Sequence, residues 1–284
     1  MKLITFVHNG KQSAGVVGKD GSIVPLPYCS VDDMLWDPGW RETVQKAAES
    51  PNTLARQEVK LLAPIPVPRQ DLICLGINYM EHAEESARYK KEAFGGERPY
   101  AVYFSKRVNE AVADGGYIES HSQLTDSLDY ECELAVVIGK DCRDVGKEEV
   151  QDYILGYTII NDVSARDVQT RHKQWYFGKS LDGFTPMGPW IVTEDEIPYP
   201  PRLSVQSFVN GELRQDGNTE KLIFDIGHVI CELSSGMTLK AGTIIATGTP
   251  AGAGMGFTPP KFLKPGDVVT CRIQGIGEIT NTVR

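Results

Sequence analysis

Between residues 129 and 179 an acidic pattern opens one apolar run and a later aspartate closes a second. They restrict fold and chemistry more than any other stretch. Asp129-Tyr130-Glu131-Cys132-Glu133 runs directly into Leu134-Ala135-Val136-Val137-Ile138. Branched residues of this kind favour a strand, and in a strand residues two apart project from the same face. Glu131 and Glu133 are therefore expected side by side at the margin of a buried sheet, where two unpartnered carboxylates are expensive. A divalent cation is the natural partner. Asp162, at the end of a second apolar run over 154–161, is the best candidate for a third oxygen ligand. The same residues would also serve as a solvated strand end and a helix cap, and spacing alone does not separate the two readings.

The remaining composition narrows the partners. At 284 residues the chain suits one large domain, or one domain with a small appendage. A net charge of −9 without a compensating basic patch argues against nucleic acid as a main partner. No long apolar segment is present, so no membrane association is expected, and the opening Met1-Lys2-Leu3-Ile4-Thr5-Phe6-Val7 reads as a first strand. Cys29, Cys74, Cys132, Cys142, Cys231 and Cys271 form no C-x-x-C pair, which suits a reduced, cytoplasmic setting and makes zinc improbable.

Residues 1–62 are expected to form a small β-rich domain with strands at 3–7, 15–17 and 23–25. A helix over 31–48 would be capped by Ser30 and interrupted at 36–39. The proline-rich stretch 63–70 serves as linker into a main domain over 71–284. There, strand 72–75 leads into a helix with Asn78 as N-cap and Glu81 completing a capping box, ending near 93 before Gly95-Gly96. Strands are expected at 100–104 and 154–161, short helices at 147–153 and 163–170, and a hairpin around Asn210-Gly211. A helix over 222–235 precedes strands at 243–247, 268–273 and 278–283. Many short strands with few, separated helices predict an α+β, mainly β fold.

Three oxygen ligands without sulfur or clustered imidazole select Mg²⁺ or Mn²⁺. Such a site can chelate a 2-keto acid and polarise its carbonyl. His82 and Glu85 stand one helical turn apart, so the carboxylate can fix the imidazole tautomer and raise its basicity. A plain surface histidine is the competing reading. Lys179, after Trp175-Tyr176-Phe177, is either an ordinary surface lysine or a partner for a substrate carboxylate or developing enolate. The loop Thr247-Gly248-Thr249-Pro250-Ala251-Gly252-Ala253-Gly254-Met255-Gly256 is not a nucleotide site, because no helix follows and no Lys-Ser/Thr completes a P-loop. It reads as a tight loop whose amides and Thr249 can approach a ligand. No G-x-S-x-G nucleophile motif occurs.

In order, Gly76-x-Asn78-Tyr79-x-x-His82-x-x-Glu85, Tyr130-Glu131-x-Glu133-Leu134, Asn161-Asp162-x-Ser164-Ala165-Arg166-Asp167-x-Gln169, Trp175-x-x-Gly178-Lys179-Ser180-x-Asp182, Pro186-x-Gly188-Pro189-Trp190 and Thr247-Gly248-Thr249-Pro250 resemble the fumarylacetoacetate hydrolase family. The resemblance covers about residues 70–284. It departs at Phe104-Ser105-Lys106-Arg107-Val108, where the family has a proline-containing pattern. It implies a mixed β-sandwich roll, a small N-terminal β-rich domain and a homodimer. It also implies Glu131, Glu133 and Asp162 as ligands of Mg²⁺ or Mn²⁺, His82 and Glu85 as an acid/base pair on a lid, and Lys179 at the substrate oxygens. Arg166, Gln169 and Thr249 would lie near the bound keto acid. The expected activity is hydrolysis of a carbon–carbon bond in an acylpyruvate such as fumarylpyruvate or acetylpyruvate. The rival is decarboxylation of oxaloacetate, or isomerisation or tautomerisation of a 2-hydroxydienoate, through the same enolate. A binding module without turnover is the third class.

Overall fold

Two antiparallel strands in which every residue is buried, Cys132–Ile138 and Ile154–Asn161, form the centre of the molecule. Strands covered on both faces read as continuous apolar runs rather than as alternation, which is the pattern these segments carry. The computed structural model describes residues 1–49, 52–93, 96 and 99–284. In chain order the chain begins with β1 (Lys2–His8), β2 (Lys11–Val17), β3 (Ile23–Pro25), α1 (Val31–Leu35), α2 (Trp40–Ala48), β4 (Lys60–Leu61), β5 (Leu72–Gly76) and α3 (Met80–Lys90). It continues through β6 (Val102–Lys106), β7 (Tyr117–Ile118), β8 (Leu128–Asp129), β9 (Cys132–Ile138), β10 (Ile154–Asn161), β11 (Ser164–Ala165), α4 (Arg166–Arg171) and α5 (Tyr176–Lys179). The last part holds β12 (Met187–Thr193), β13 (Ser204–Val209), β14 (Glu212–Asn218), α6 (Ile226–Gly236), β15 (Ile244–Ala246), β16 (Val268–Ile273) and β17 (Gly277–Val283).

The main sheet runs β3-β2-β1-β12-β10-β9-β15-β5-β6, with β4 also paired to β1. Its pairs are antiparallel except β15 with β5. A second sheet runs β14-β13-β16-β17-β7. Strand β9 feeds two cores at once. Leu134, Val136 and Ile138 pack in one with Val205 and Val209 of β13 and Cys271 and Ile273 of β16. Ala135 and Val137 pack in the other with Leu3, Met34 and Leu72. Adjacent side chains on opposite faces follow from the strand's period of two. The result is the α+β, mainly β sandwich roll that the sequence predicts.

Local signals set several elements. Ser30 caps α1 by accepting from Asp33 N, and the break between α1 and α2 falls at the expected residues 36–39. Asn210 and Gly211 take φ of 51° and 80°, the paired positive values that a two-residue hairpin turn requires. Other boundaries differ from expectation. The N-cap of α3 is Tyr79 without any side-chain cap, and Asn78 is used elsewhere. That helix ends at Lys90 with Lys91 left-handed, so it stops short of the expected end; Gly95 lies outside the described residues. Strand β6 is shifted two residues toward the C-terminus, which brings Lys106 into it. Residues 164–165 pair with β8 before α4 begins, and α6 starts at Ile226 on an Asp225 cap, leaving Phe224 outside. Among the described residues no helix is long and apolar enough to cross a membrane.

Candidate active site

The end of β10 and the start of β9 bring three carboxylates together. Register pairs Ile160 with Glu133 and Asn161 with Cys132, so Asp162 emerges directly beside Glu131. Asp162 N donates to Glu131 O at 2.8 Å, and Asn161 Oδ1 accepts from Glu131 N at 2.9 Å. Glu131, Glu133 and Asp162 are all buried, and one ligand oxygen from each lies within 4.8 Å of the others.

Buried cations surround this triad. Lys179 Nζ donates to Glu131 Oε2 at 2.6 Å and to Asp162 Oδ2 at 2.7 Å. Arg166 donates from Nη2 to Glu131 Oε1 at 2.5 Å and from Nε to Asp129 Oδ2 at 2.8 Å. Lys106 Nζ reaches Asp162 Oδ1 at 2.6 Å and Val163 O at 3.0 Å. Burial works against the Lys179 proton, but Asp162 and Glu131 hold its pKa above the ordinary lysine value. Lys179 is therefore a fixed donor and charge, not a base. Burial opposes ionisation of Glu131 too, yet Arg166 and Lys179, with His82, hold it well below the usual carboxylate range.

Glu133 behaves oppositely. Burial, and then repulsion by Asp162 and Glu131, push its pKa well above the usual carboxylate value. It accepts one hydrogen bond, from Gly248 N at 2.8 Å, and no ion pair holds it among the described residues. Asp129, Glu131, Glu133 and Asp162 thus face Lys106, Lys179 and Arg166, one carboxylate in excess. A hard divalent cation fits this cluster: its donors are carboxylate oxygens, and its charge is short on the positive side.

Helix α3 lies over the cluster. His82 is buried, with Nε2 3.7 Å from Glu131 Oε1 and Nδ1 3.5 Å from Glu85 Oε2. Nδ1 makes no hydrogen bond among the described residues, so the pair is close but not engaged. The imidazole thus spans from its companion carboxylate to the triad. Glu85 is held from the other side, accepting from Gly252 N at 3.0 and 3.1 Å. The glycine loop that carries Gly252 spends its amides on the protein's own carboxylates, Gly248 on Glu133 and Gly254 and Met255 on Asp129. The ligand-binding role expected for those amides is accordingly taken up by internal partners.

His82, Glu131, Glu133, Arg166, Gln169, Lys179 and Thr249 line one pocket, together with Phe104 and Trp175. Glu85 borders it through His82. Gln169 Oε1 accepts from Arg166 Nη1 at 3.2 Å. Thr249 Oγ1 donates to Cys132 O at 2.9 Å and accepts from Gln215 Nε2 at 2.6 Å, which ties the loop to β9. The residue that sequence reasoning missed is Lys106. Its signal was present: it stands two residues after Phe104, so in a strand it shares the face of a pocket-lining aromatic.

A pocket with an acidic triad, three buried cations and a His–Glu pair, set on a mixed β roll, defines a class of enzymes. The chain belongs to the fumarylacetoacetate hydrolase family, since residues 71–284 match the family described as fumarylacetoacetate (FAA) hydrolase C-terminal. It is 50% identical to the oxaloacetate tautomerase YisK of Bacillus subtilis (strain 168) over 226 residues, 80% of this chain and 73% of that protein. The solved fumarylacetoacetate hydrolase of Exiguobacterium antarcticum superposes with a TM-score of 0.87 at 40% identity, covering 100% of this chain and 99% of that one. Maleylpyruvate hydrolase from Sphingobium sp. SYK-6, solved with manganese(II) and pyruvate, gives 0.77 at 30% identity, covering 100% and 98%.

Proposed function

We propose that this protein is a divalent-metal-dependent enzyme that moves a proton between carbon and oxygen of a small 2-keto acid, with keto–enol tautomerisation of oxaloacetate as its reaction. The observation that carries this reading is the placement of buried His82 between Glu85 and the acidic triad, 3.5 Å from one and 3.7 Å from the other. The identity to an oxaloacetate tautomerase supports the choice of substrate.

Glu131, Glu133 and Asp162 would hold Mg²⁺ or Mn²⁺, which supplies a Lewis acid toward the oxygens of the keto acid. Arg166 and Lys179 contribute fixed positive charge where negative charge builds on the keto oxygen. Neither needs to move, because each is already locked between carboxylates. His82 takes the proton from the carbon beside the carbonyl, and Glu85 stabilises the imidazolium that results. The His82 imidazolium then gives that proton to the keto oxygen, which completes the enol and returns the imidazole to its neutral form, and the reverse sequence restores the keto form. Burial of His82 keeps bulk water from competing for the proton.

The test follows loss of the enol form of oxaloacetate by ultraviolet absorbance with Mn²⁺ present. His82→Ala is expected to lower kcat by about 100-fold or more. Full activity in that variant would remove His82 as the base.

A second reading, hydrolysis of an acylpyruvate, draws support from the full-length likeness to maleylpyruvate hydrolase. There His82 would deprotonate a water that attacks the distal carbonyl, and the enolate of pyruvate would leave. Release of pyruvate and a second acid from fumarylpyruvate or acetylpyruvate, identified by NMR, would favour hydrolysis; oxaloacetate losing carbon dioxide would point to decarboxylation.

A further inference from the structure

We propose that the loop 252–256 is the seat that aligns the His82–Glu85 pair, and that Gly256 is its positioning residue. This rests on the reading that the pair works on a bound keto acid, and it adds what sets the pair's geometry. Glu85 is the only part of the acid/base pair with strong hydrogen bonds among the described residues, and both come from Gly252 N. Gly252 has a φ of +101°, and a Cβ there would lie 1.9 Å from Arg214 O, so the amide is presented by backbone that only glycine can supply. Beside it, a Cβ on Gly256 would lie 2.5 Å from Glu85 Cδ and 2.6 and 2.8 Å from its two oxygens. Hydrogen at position 256 is what leaves room for the carboxylate.

The seat is rigid because its far side is anchored in the metal-ligand cluster. Tyr130 Oη donates to Gly252 O at 2.9 Å. Asp129 accepts from Gly254 N at 2.7 Å and from Met255 N at 3.0 Å. The same aspartate accepts from Arg166 Nε at 2.8 Å, and Arg166 in turn holds Glu131. A continuous path therefore joins Glu85 on α3 to Glu131 in the triad through one glycine loop. Helix α3 can sit correctly over the triad only when Glu85 reaches this loop, so the loop measures whether the lid is in place.

Gly256→Ala separates this role from a general packing role. The φ of Gly256 is outside the left-handed region, and the three atoms nearest the added methyl are all of the flexible Glu85 carboxylate. The fold is expected to persist while the carboxylate moves. In the Mn²⁺-loaded enzyme we expect kcat to fall about 100-fold, with KM and the Kd for Mn²⁺ within about twofold of wild type. Hydrogen–deuterium exchange of residues 80–90, slowed in the wild type on adding Mn²⁺ and oxalate, is expected to stay fast. Shortening the partner in Gly256→Ala/Glu85→Asp is expected to restore part of both, although Glu85→Asp alone impairs them. Wild-type kcat and wild-type exchange in Gly256→Ala would overturn the proposal. So would a loss of Mn²⁺ affinity, or a defect that Glu85→Asp leaves unchanged. Should no substrate turn over, the exchange measurements still decide the seat, so its failure and that of the tautomerase reading stay distinct.

Discussion

Lys106 has no exposed surface, and its ammonium is committed to Asp162 Oδ1 and Val163 O. Burial pulls its pKa down, against the attraction of Asp162. Removing one partner of a buried ion pair leaves the other charge uncompensated, which costs about 3–5 kcal/mol. Lys106→Met keeps the length of the chain but removes the charge, and is expected to lose stability on that scale in urea unfolding of the metal-free protein. An unchanged midpoint would mean that Lys179 alone suffices for Asp162. At this scale the sequence was informative where chemistry follows a short pattern. Glu133 lies in β9 and Glu131 just before it, His82 and Glu85 stand one turn apart in a helix, and each pair comes close as its spacing suggests. Lys106 escapes a reading that ends the strand at 104, although its two-residue spacing from Phe104 carries the signal.

Among the elements, α3 depends on a residue whose role its neighbours in sequence disguise. Asn78 followed by Glu81 has the form of a capping box. Its side chain instead donates to Thr247 O at 2.9 Å and Phe224 O at 3.0 Å, and accepts from Phe224 N at 2.8 Å. These partners are 146 and 169 residues away, beyond the reach of any local pattern. The asparagine thus ties the start of α3 to the segment before α6 and to the glycine loop. Asn78→Ala strands these backbone groups, at a cost of about 1–3 kcal/mol. Exchange across residues 80–90 is expected to quicken more than exchange in β9 and β10, since the anchor serves one end of α3. Uniform quickening over the whole chain would assign Asn78 to global stability. The hairpin at Asn210-Gly211 was readable for the opposite reason: its φ values depend only on the two residues that adopt them.

On the scale of the whole molecule, the order of strands in the main sheet was not available from periodicity. Pairings such as β1 with β12 and β15 with β5 join segments far apart in sequence, and no local pattern carries that information. What the two sheets achieve together is to bury four carboxyl groups with three cations, so one of them, Glu133, is left without a cation and its charged form is disfavoured. Its stability should therefore respond to whatever supplies the missing charge. A cation that binds only the folded state at 100 times its Kd adds about 2.7 kcal/mol, which raises Tm by about 5 °C in a chain of this size. Mn²⁺ is expected to produce that rise in differential scanning calorimetry, and EDTA to reverse it. Glu133→Gln tests the same imbalance from the protein side. Neutralising the carboxylate that lacks an ion pair should stabilise the metal-free protein and abolish the Mn²⁺ response together. A Tm indifferent to millimolar Mn²⁺, with Glu133→Gln destabilising, would mean that the cluster is balanced by its own protons and lysines and is not built around a metal.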